Sequence, residues 1–373
     1  MSPGRALALA ALTLAASAAP VARAGAQATP PGLPASRVSG IRDAVRDTMA
    51  RLGIPGLSLA VVDGGVVRLQ EAHGFADVEN GVPARPESVY RLASVSKPMT
   101  AVAVLHLYER GLIDLDAPVW RYCPEFPEKP WPVTARLLLC HQGGVRHYRP
   151  EEPALTRRFE TSAEALALFR DDPLLHEPGT QVRYSTFGYN LLGCAAAGAA
   201  RTPFLELLRE AVFGPAEMSS TGADDQRAIV PNRVQGYTRD AEGRLRNSAL
   251  ADMSYKVPGG GLSGTAADVA RFGSALGTGR LLTAGVLEQM LTRQRVRGGR
   301  LTGYGLGLTL GERDDRREAW QTGGQERVST VLYLDLDRGV PRGGRAVAIL
   351  ANLEEVQPEL LGLARRVADE LAE

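Results

Sequence analysis

Lysine is nearly missing from this chain: of its 43 basic residues only Lys97, Lys129 and Lys256 are not Arg. Histidine is scarce too, with five in 373 residues and none after His176. That excludes the H-E-x-x-H signature of zinc peptidases, and the rings at 73, 106, 141, 147 and 176 are too scattered to read as a metal site. A Ser-His-Asp hydrolase is disfavoured as well. It would need a G-x-S-x-G elbow, and the nearest approach, Gly56-Leu57-Ser58-Leu59-Ala60, ends in Ala. The three cysteines are odd in number and show no C-x-x-C spacing; Cys140 and Cys194, in apolar runs, read as buried free thiols. Neither sign of charge prevails, the formal net charge being +1, so no block of like charge marks nucleic acid or an anionic membrane surface as a partner.

Long apolar runs are also wanting, with one exception. Arg5 precedes a small-residue apolar run from Ala6 to Ala19, and Ala24-Gly25-Ala26 offers a cleavage site, so residues 1–26 read as a secretory signal. A membrane span would need a longer run, and none occurs later in the chain. The expectation is an exported protein, periplasmic or extracellular.

The chain is rich enough in apolar residues, 44%, to bury a large core in two lobes. Residues 27–36 read as a flexible lead-in, and Val38, Ile41, Val45, Met49 and Leu52 recur at helical spacing up to Gly53. Two β-rich runs, 57–62 and 66–69, flank Asp63-Gly64-Gly65 as a hairpin. From 121 prolines and long loops interrupt helical segments at 162–170, 187–200 and 203–213. Strands return at 328–334 and 345–353, and a last amphipathic helix covers 360–371. This pattern predicts an α+β fold: an antiparallel sheet flanked by helices (37–120 and 256–373) with an inserted, mainly helical lobe (121–255).

Within that frame Ser94-Val95-Ser96-Lys97 stands at the start of a helix whose stripe, Val102, Leu105 and Tyr108, runs on to Gly111. Three residues are about one turn, so the Ser94 hydroxyl and the Lys97 amine share a face, which a serine nucleophile with a lysine base requires. Keeping Lys in so Arg-biased a chain points the same way, because Arg cannot be deprotonated in a protein. Tyr184, just before a helix beginning near Thr186 or Phe187, is placed to relay a proton to a leaving group. Trp320-Gln321-Thr322-Gly323-Gly324, at or just before a strand opening near Val328, lets a substrate approach the backbone, where a main-chain N–H completes an oxyanion hole with that of Ser94.

Ser-x-x-Lys, a Tyr-x-Asn-like element and a Thr-Gly strand, in that order, resemble the penicillin-recognising serine hydrolases. The resemblance runs over roughly 38–353 to the branch of class C β-lactamases, DD-peptidases and family VIII esterases. It is strongest to the animal mitochondrial serine β-lactamase-like proteins, through Pro124–Lys129, Arg146-His147-Tyr148 and Tyr184–Tyr189. It implies Ser94 as the acylated nucleophile, Lys97 as base, Tyr184 as proton relay and the N–H groups of Ser94 and Gly324 as oxyanion hole. It also implies Thr186, Gln321, Thr322 and Gly323 at the substrate, with no metal and no cofactor. Two positions depart from the pattern. Thr186 replaces the Asn, losing an amide contact to Lys97, and Gln321 replaces a Lys or His, removing a cation that would hold a substrate carboxylate. Turnover of an ester, amide or peptide carbonyl is therefore expected ahead of efficient β-lactam hydrolysis. The competing expectation is a weakly active or inactive binding protein that self-assembles on the same fold. His141-Gln142-Gly143-Gly144 reads as a structural turn, and Arg146 and His147 are candidates for the cleft border.

Overall fold

The computed structural model describes residues 33–339 and 344–371. The expected signal, 1–26, and most of the lead-in lie outside the described residues. Numbering the strands of the main sheet and the five long helices, the chain opens with α1 (Ala35–Leu52), which takes up the last two residues of the lead-in and ends at Gly53. The hairpin follows as β1 (Gly56–Asp63) and β2 (Val66–Asp77), with β3 (Val82–Pro83) at the edge. Then come α2 (Ser96–Glu109), α3 (Thr186–Ala200) and α4 (Ala266–Gly277). The chain closes with β4 (Thr309–Arg313), β5 (Arg316–Gln325), β6 (Val328–Asp335), β7 (Arg345–Ala351) and α5 (Gln357–Glu370). The sheet order is β3-β2-β1-β7-β6-β5-β4, and its adjacent pairs are antiparallel.

Residues in a strand alternate between faces, and the sheet uses both. Leu57, Leu59 and Val61 of β1 pack with Ile41 and Val45 of α1 and Leu360, Leu363 and Val367 of α5. Ala60 and Val62 turn the other way, into a larger core with Val269 and Phe272 of α4. First and last helices thus share one face, as the pattern predicted. The stripe on α2 is not what seats it, however: Ser96–Leu105 and Leu107 are all buried, so this helix lies inside the core rather than on it. A helix apolar all round belongs there.

The insert is less uniform than its sequence reads. Tyr237–Arg239 and Leu245–Asn247 form a small hairpin. Its Tyr237 donates its N–H to Asn352 O (2.9 Å) and joins the core of α1 and α5, so this stretch leans on the sheet. The cysteine reading is overturned. Cys194 of α3 is not a free thiol but is bonded to Cys123, 71 residues away; Cys140 alone is free and buried, its thiol pushed up to about 12 by burial. Pairing across so long a separation depends on the folded path of the chain, which spacing does not reveal.

Candidate active site

Tyr90–Arg91 is stitched to Leu262–Gly264, and Leu92 N–H bonds Leu262 O (2.8 Å). From β6, Thr330 Oγ1 donates to Leu92 O (2.9 Å). So held, the chain turns through Ala93, whose φ of 47° is in the left-handed region that a residue with a Cβ enters at a cost, into the tight turn Ala93–Val95 and then α2. Ser94 is on that turn and Lys97 in the first turn of the helix.

The two side chains meet as their spacing predicted. Lys97 Nζ lies 3.0 Å from Ser94 Oγ, 3.1 Å from Thr186 Oγ1 and 2.6 Å from Gly259 O. The contact expected to vanish with the Asn is therefore kept by the Thr186 hydroxyl. An ammonium has a hydrogen for each of these oxygens, whereas a neutral amine has two and a lone pair. Since Gly259 O can only accept, that lone pair is free to face the Ser94 hydroxyl. Gly259 is needed for the approach: a Cβ there would sit 2.5 Å from Thr186 Cγ2. Lys97 is fully buried, and burial, aided by the positive charge of Lys256, drives its pKa well below the ordinary lysine value.

On the opposite side Tyr184, just ahead of α3, donates to Ser94 Oγ (2.8 Å). Burial raises its pKa, against the smaller pull of the Ser94 hydrogen bond, so the phenol keeps its proton. Its ring packs on His141 at 4.3 Å, the planes tilted by 33°, and meets His147 edge-on at 5.5 Å. Both imidazoles accept at Nδ1, His141 from Ser185 N–H and His147 from Thr186 N–H (3.2 Å each). Burial holds both pKa values down, that of His147 to about 4, with Lys97 adding to each. His141 is thus more than the turn residue it reads as, because it is also the platform under Tyr184. Arg146 is tied by its side chain to Glu152 (2.7 Å) and Asp172 (2.5 Å).

The Trp320–Gly324 stretch differs from expectation in lying inside β5, a ten-residue strand of its own. Arg316, Arg317 and Glu318 at its head hide the strand in the sequence. Among the described residues β5 has no strand partner on its β4 side beyond Trp320, because β4 pairs only with 316–320. Gly323 passes so close to the turn that a Cβ would fall 2.9 Å from Ser94 N, which sets the Gly323-Gly324 backbone beside Ser94. Gln321 is buried, its Nε2 donating to Thr322 O (2.7 Å). Thr322, opposite Val331, faces the α1–α5 layer, so its side chain is not brought to Ser94. Lys256 was not singled out for the site, although the lysine scarcity that marks Lys97 applies equally to it. It is 1% exposed and close enough to weigh on Lys97 and His147.

The profile of the Beta-lactamase family matches residues 41–372. The human serine beta-lactamase-like protein LACTB, mitochondrial, is 32% identical over 320 residues, which are 66% of this chain and 58% of that protein, so the chain spans little more than half of this relative. Among solved structures, D-amino acid amidase from Ochrobactrum anthropi SV3 superposes with a TM-score of 0.77 at 24% identity, covering 91% of this chain and 99% of that one. An octameric penicillin-binding protein homologue from Pyrococcus abyssi superposes with a TM-score of 0.70 at 23% identity, covering 84% and 73%. At these identities the two structures speak for the fold alone.

Proposed function

Because the chain belongs to the β-lactamase family, we propose that it is a serine hydrolase working through an acyl-enzyme on an ester, amide or peptide carbonyl. The observation that carries this is the double contact at Ser94, whose Oγ lies 3.0 Å from a lysine whose pKa burial drives down and 2.8 Å from a tyrosine whose pKa burial drives up.

In this reading the Lys97 amine takes the Ser94 proton as Oγ attacks the carbonyl carbon. The N–H groups of Ser94 and Gly324 receive the negative oxygen, and one such donor is typically worth about a hundred- to a thousand-fold in rate. As the tetrahedral species collapses, the carbon–heteroatom bond breaks and the leaving group takes the Tyr184 proton. The Lys97 ammonium, whose Nζ lies 4.8 Å from the centre of the Tyr184 ring, then returns a proton to the phenolate, restoring both groups. A water then repeats the attack on the acyl-enzyme with Lys97 again as base, and Ser94 is released. Gln321 and Gly323 line the substrate's path along β5; Thr322 contributes through its backbone. Export is supported by the Arg5 and Ala6–Ala19 pattern and by the Cys123–Cys194 bond, since disulfides persist in oxidising compartments.

Fluorophosphonate labelling followed by mass spectrometry tests the reading. Wild type should gain one adduct on Ser94 and Ser94→Ala none; an unlabelled wild type would sink the proposal. The octameric relative makes self-assembly the second reading, which sizing by light scattering on the same sample decides.

A further inference from the structure

In the acyl transfer above Lys256 acts only through its charge on Lys97. It ends the turn Ser254–Lys256, its Nζ 4.9 Å from the centre of the Tyr148 ring and 5.2 Å from that of Tyr255. Among the described residues no carboxylate comes within 4.0 Å of Nζ and no acceptor takes its hydrogens. Lys129 behaves differently, spending its ammonium on the carbonyls of Arg170 and Asp172. Among the described residues the two rings and the charge of Glu326, which does not touch Nζ, are what offset the burial of this ammonium, and burying an ammonium with no hydrogen-bonded partner is expensive.

The space around it has room for a further partner. A cavity of about 320 Å³ is lined by Lys256, His147, Tyr148, Gly324 and Gln325, with the carboxylates of Glu326, Glu354 and Glu355 also on its walls. Gln325 Nε2 and Glu326 Oε2 are buried on its wall without a hydrogen-bond partner. At the rim Glu354 is already taken by the N–H of Arg327 (2.9 Å) and the Ser248 hydroxyl. Burial lowers the Lys256 pKa to about 8 while Glu326 opposes the fall, so the ammonium is charged at neutral pH.

β5 passes Ser94 at Gly323. A substrate lying along the strand with its carbonyl at Ser94 therefore has one end towards Gln321 and the other towards Gln325 and this cavity. We infer that Lys256 is a specificity-determining residue, its ammonium receiving a carboxylate of the substrate at the Gln325 end, with the Gln325 amide as second donor. The cation missing at 321 is thereby replaced on the other side of the carbonyl. This rests on the hydrolase reading above.

Two matched ester pairs test it, each an anionic ester and its neutral methyl-ester counterpart. One pair carries the charge in the acyl half (p-nitrophenyl hydrogen glutarate against p-nitrophenyl methyl glutarate), the other in the phenol. For one pair, wild type should show an anionic-over-neutral ratio of kcat/KM above about 10, as charge-assisted hydrogen bonds give. Lys256→Gln should lower that ratio at least tenfold, and Lys256→Arg should keep it within about threefold. The ratio at one pH cancels any effect on Lys97, which all the esters share. Equal rates within both wild-type pairs, or an unchanged ratio in Lys256→Gln, overturns the inference. Should Lys256→Gln not fold, wild type decides alone: glutarate should slow fluorophosphonate labelling of Ser94 and glutaramide should not, and equal protection overturns it. Labelled Ser94 with flat ratios removes only the role of Lys256; no labelling removes the hydrolase reading itself.

Discussion

In the proposed reaction Lys97 acts only while it lacks a proton, and burial and the charge of Lys256 both lower its pKa. Catalysis should appear as pH rises through its lowered pKa, so the ascending limb of kcat/KM on a neutral ester should lie well below the ordinary lysine range of about 10.4. Removing the neighbouring charge with Lys256→Gln should let the Lys97 pKa climb, moving the limb to higher pH; a limb that stays put contradicts their coupling. Lys97→Met should cost about 10²–10⁴ in kcat, the usual worth of a positioned base, read by stopped-flow acylation. Restoring a cation with Gln321→Lys should raise turnover of carboxylate-bearing β-lactams, scored with nitrocefin. The Ser94–Lys97 pair was legible because helix geometry fixes what residues three apart can do. Lys256 and the His141 platform were not, because each reaches the site from a segment whose path is set by tertiary packing.

Elements bring these residues together, and the tightest junction is β5 against the turn before α2. At Gly323 an added methyl would press on Thr330 Oγ1 at 2.3 Å and Leu92 O at 2.8 Å as well as on Ser94 N. Gly323→Ala should therefore lower acylation at least tenfold and destabilise the fold by about 1–3 kcal/mol, as overpacking does. Parallel denaturant curves and burst assays check this, and a variant with wild-type acylation would show that the junction yields. Helices with clear spacing and stops, such as α1 and the one after Tyr184, were foreseeable. β5 was not, since a strand that opens on Arg-Arg-Glu is drawn by its neighbours β4 and β6 rather than by its own propensity. α2 was legible as a helix but its burial on all sides was not, because a partial stripe cannot reveal a second layer on its far side.

Over the whole molecule the buried cations set the response to pH. In the unfolded chain Lys97 and Lys256 hold their protons to about pH 10.4, while the folded pKa values lie lower, that of Lys256 at about 8. Between those limits the unfolded state holds more protons on these two lysines, so their contribution to stability rises with pH from about 8. Above about 9 the Cys140 thiol and the buried tyrosines, whose folded pKa values are raised, act in the opposite sense. Lys256→Met should therefore flatten the rise between about pH 8 and 9 in urea titrations. The Cys123–Cys194 bond acts on the unfolded state instead. Closing a separation of 71 residues is worth roughly 4 kcal/mol in the chain-entropy account, so Cys123→Ala with Cys194→Ala should lower the melting temperature by several degrees. That crosslink also bears on how the protein must be made. Synthesised in a bacterial cytosol, where thioredoxin and glutathione keep sulfhydryls open, the polypeptide would mature with α3 untethered from the turn at 119–123, so a preparation from such a host would understate how well the native molecule withstands heat.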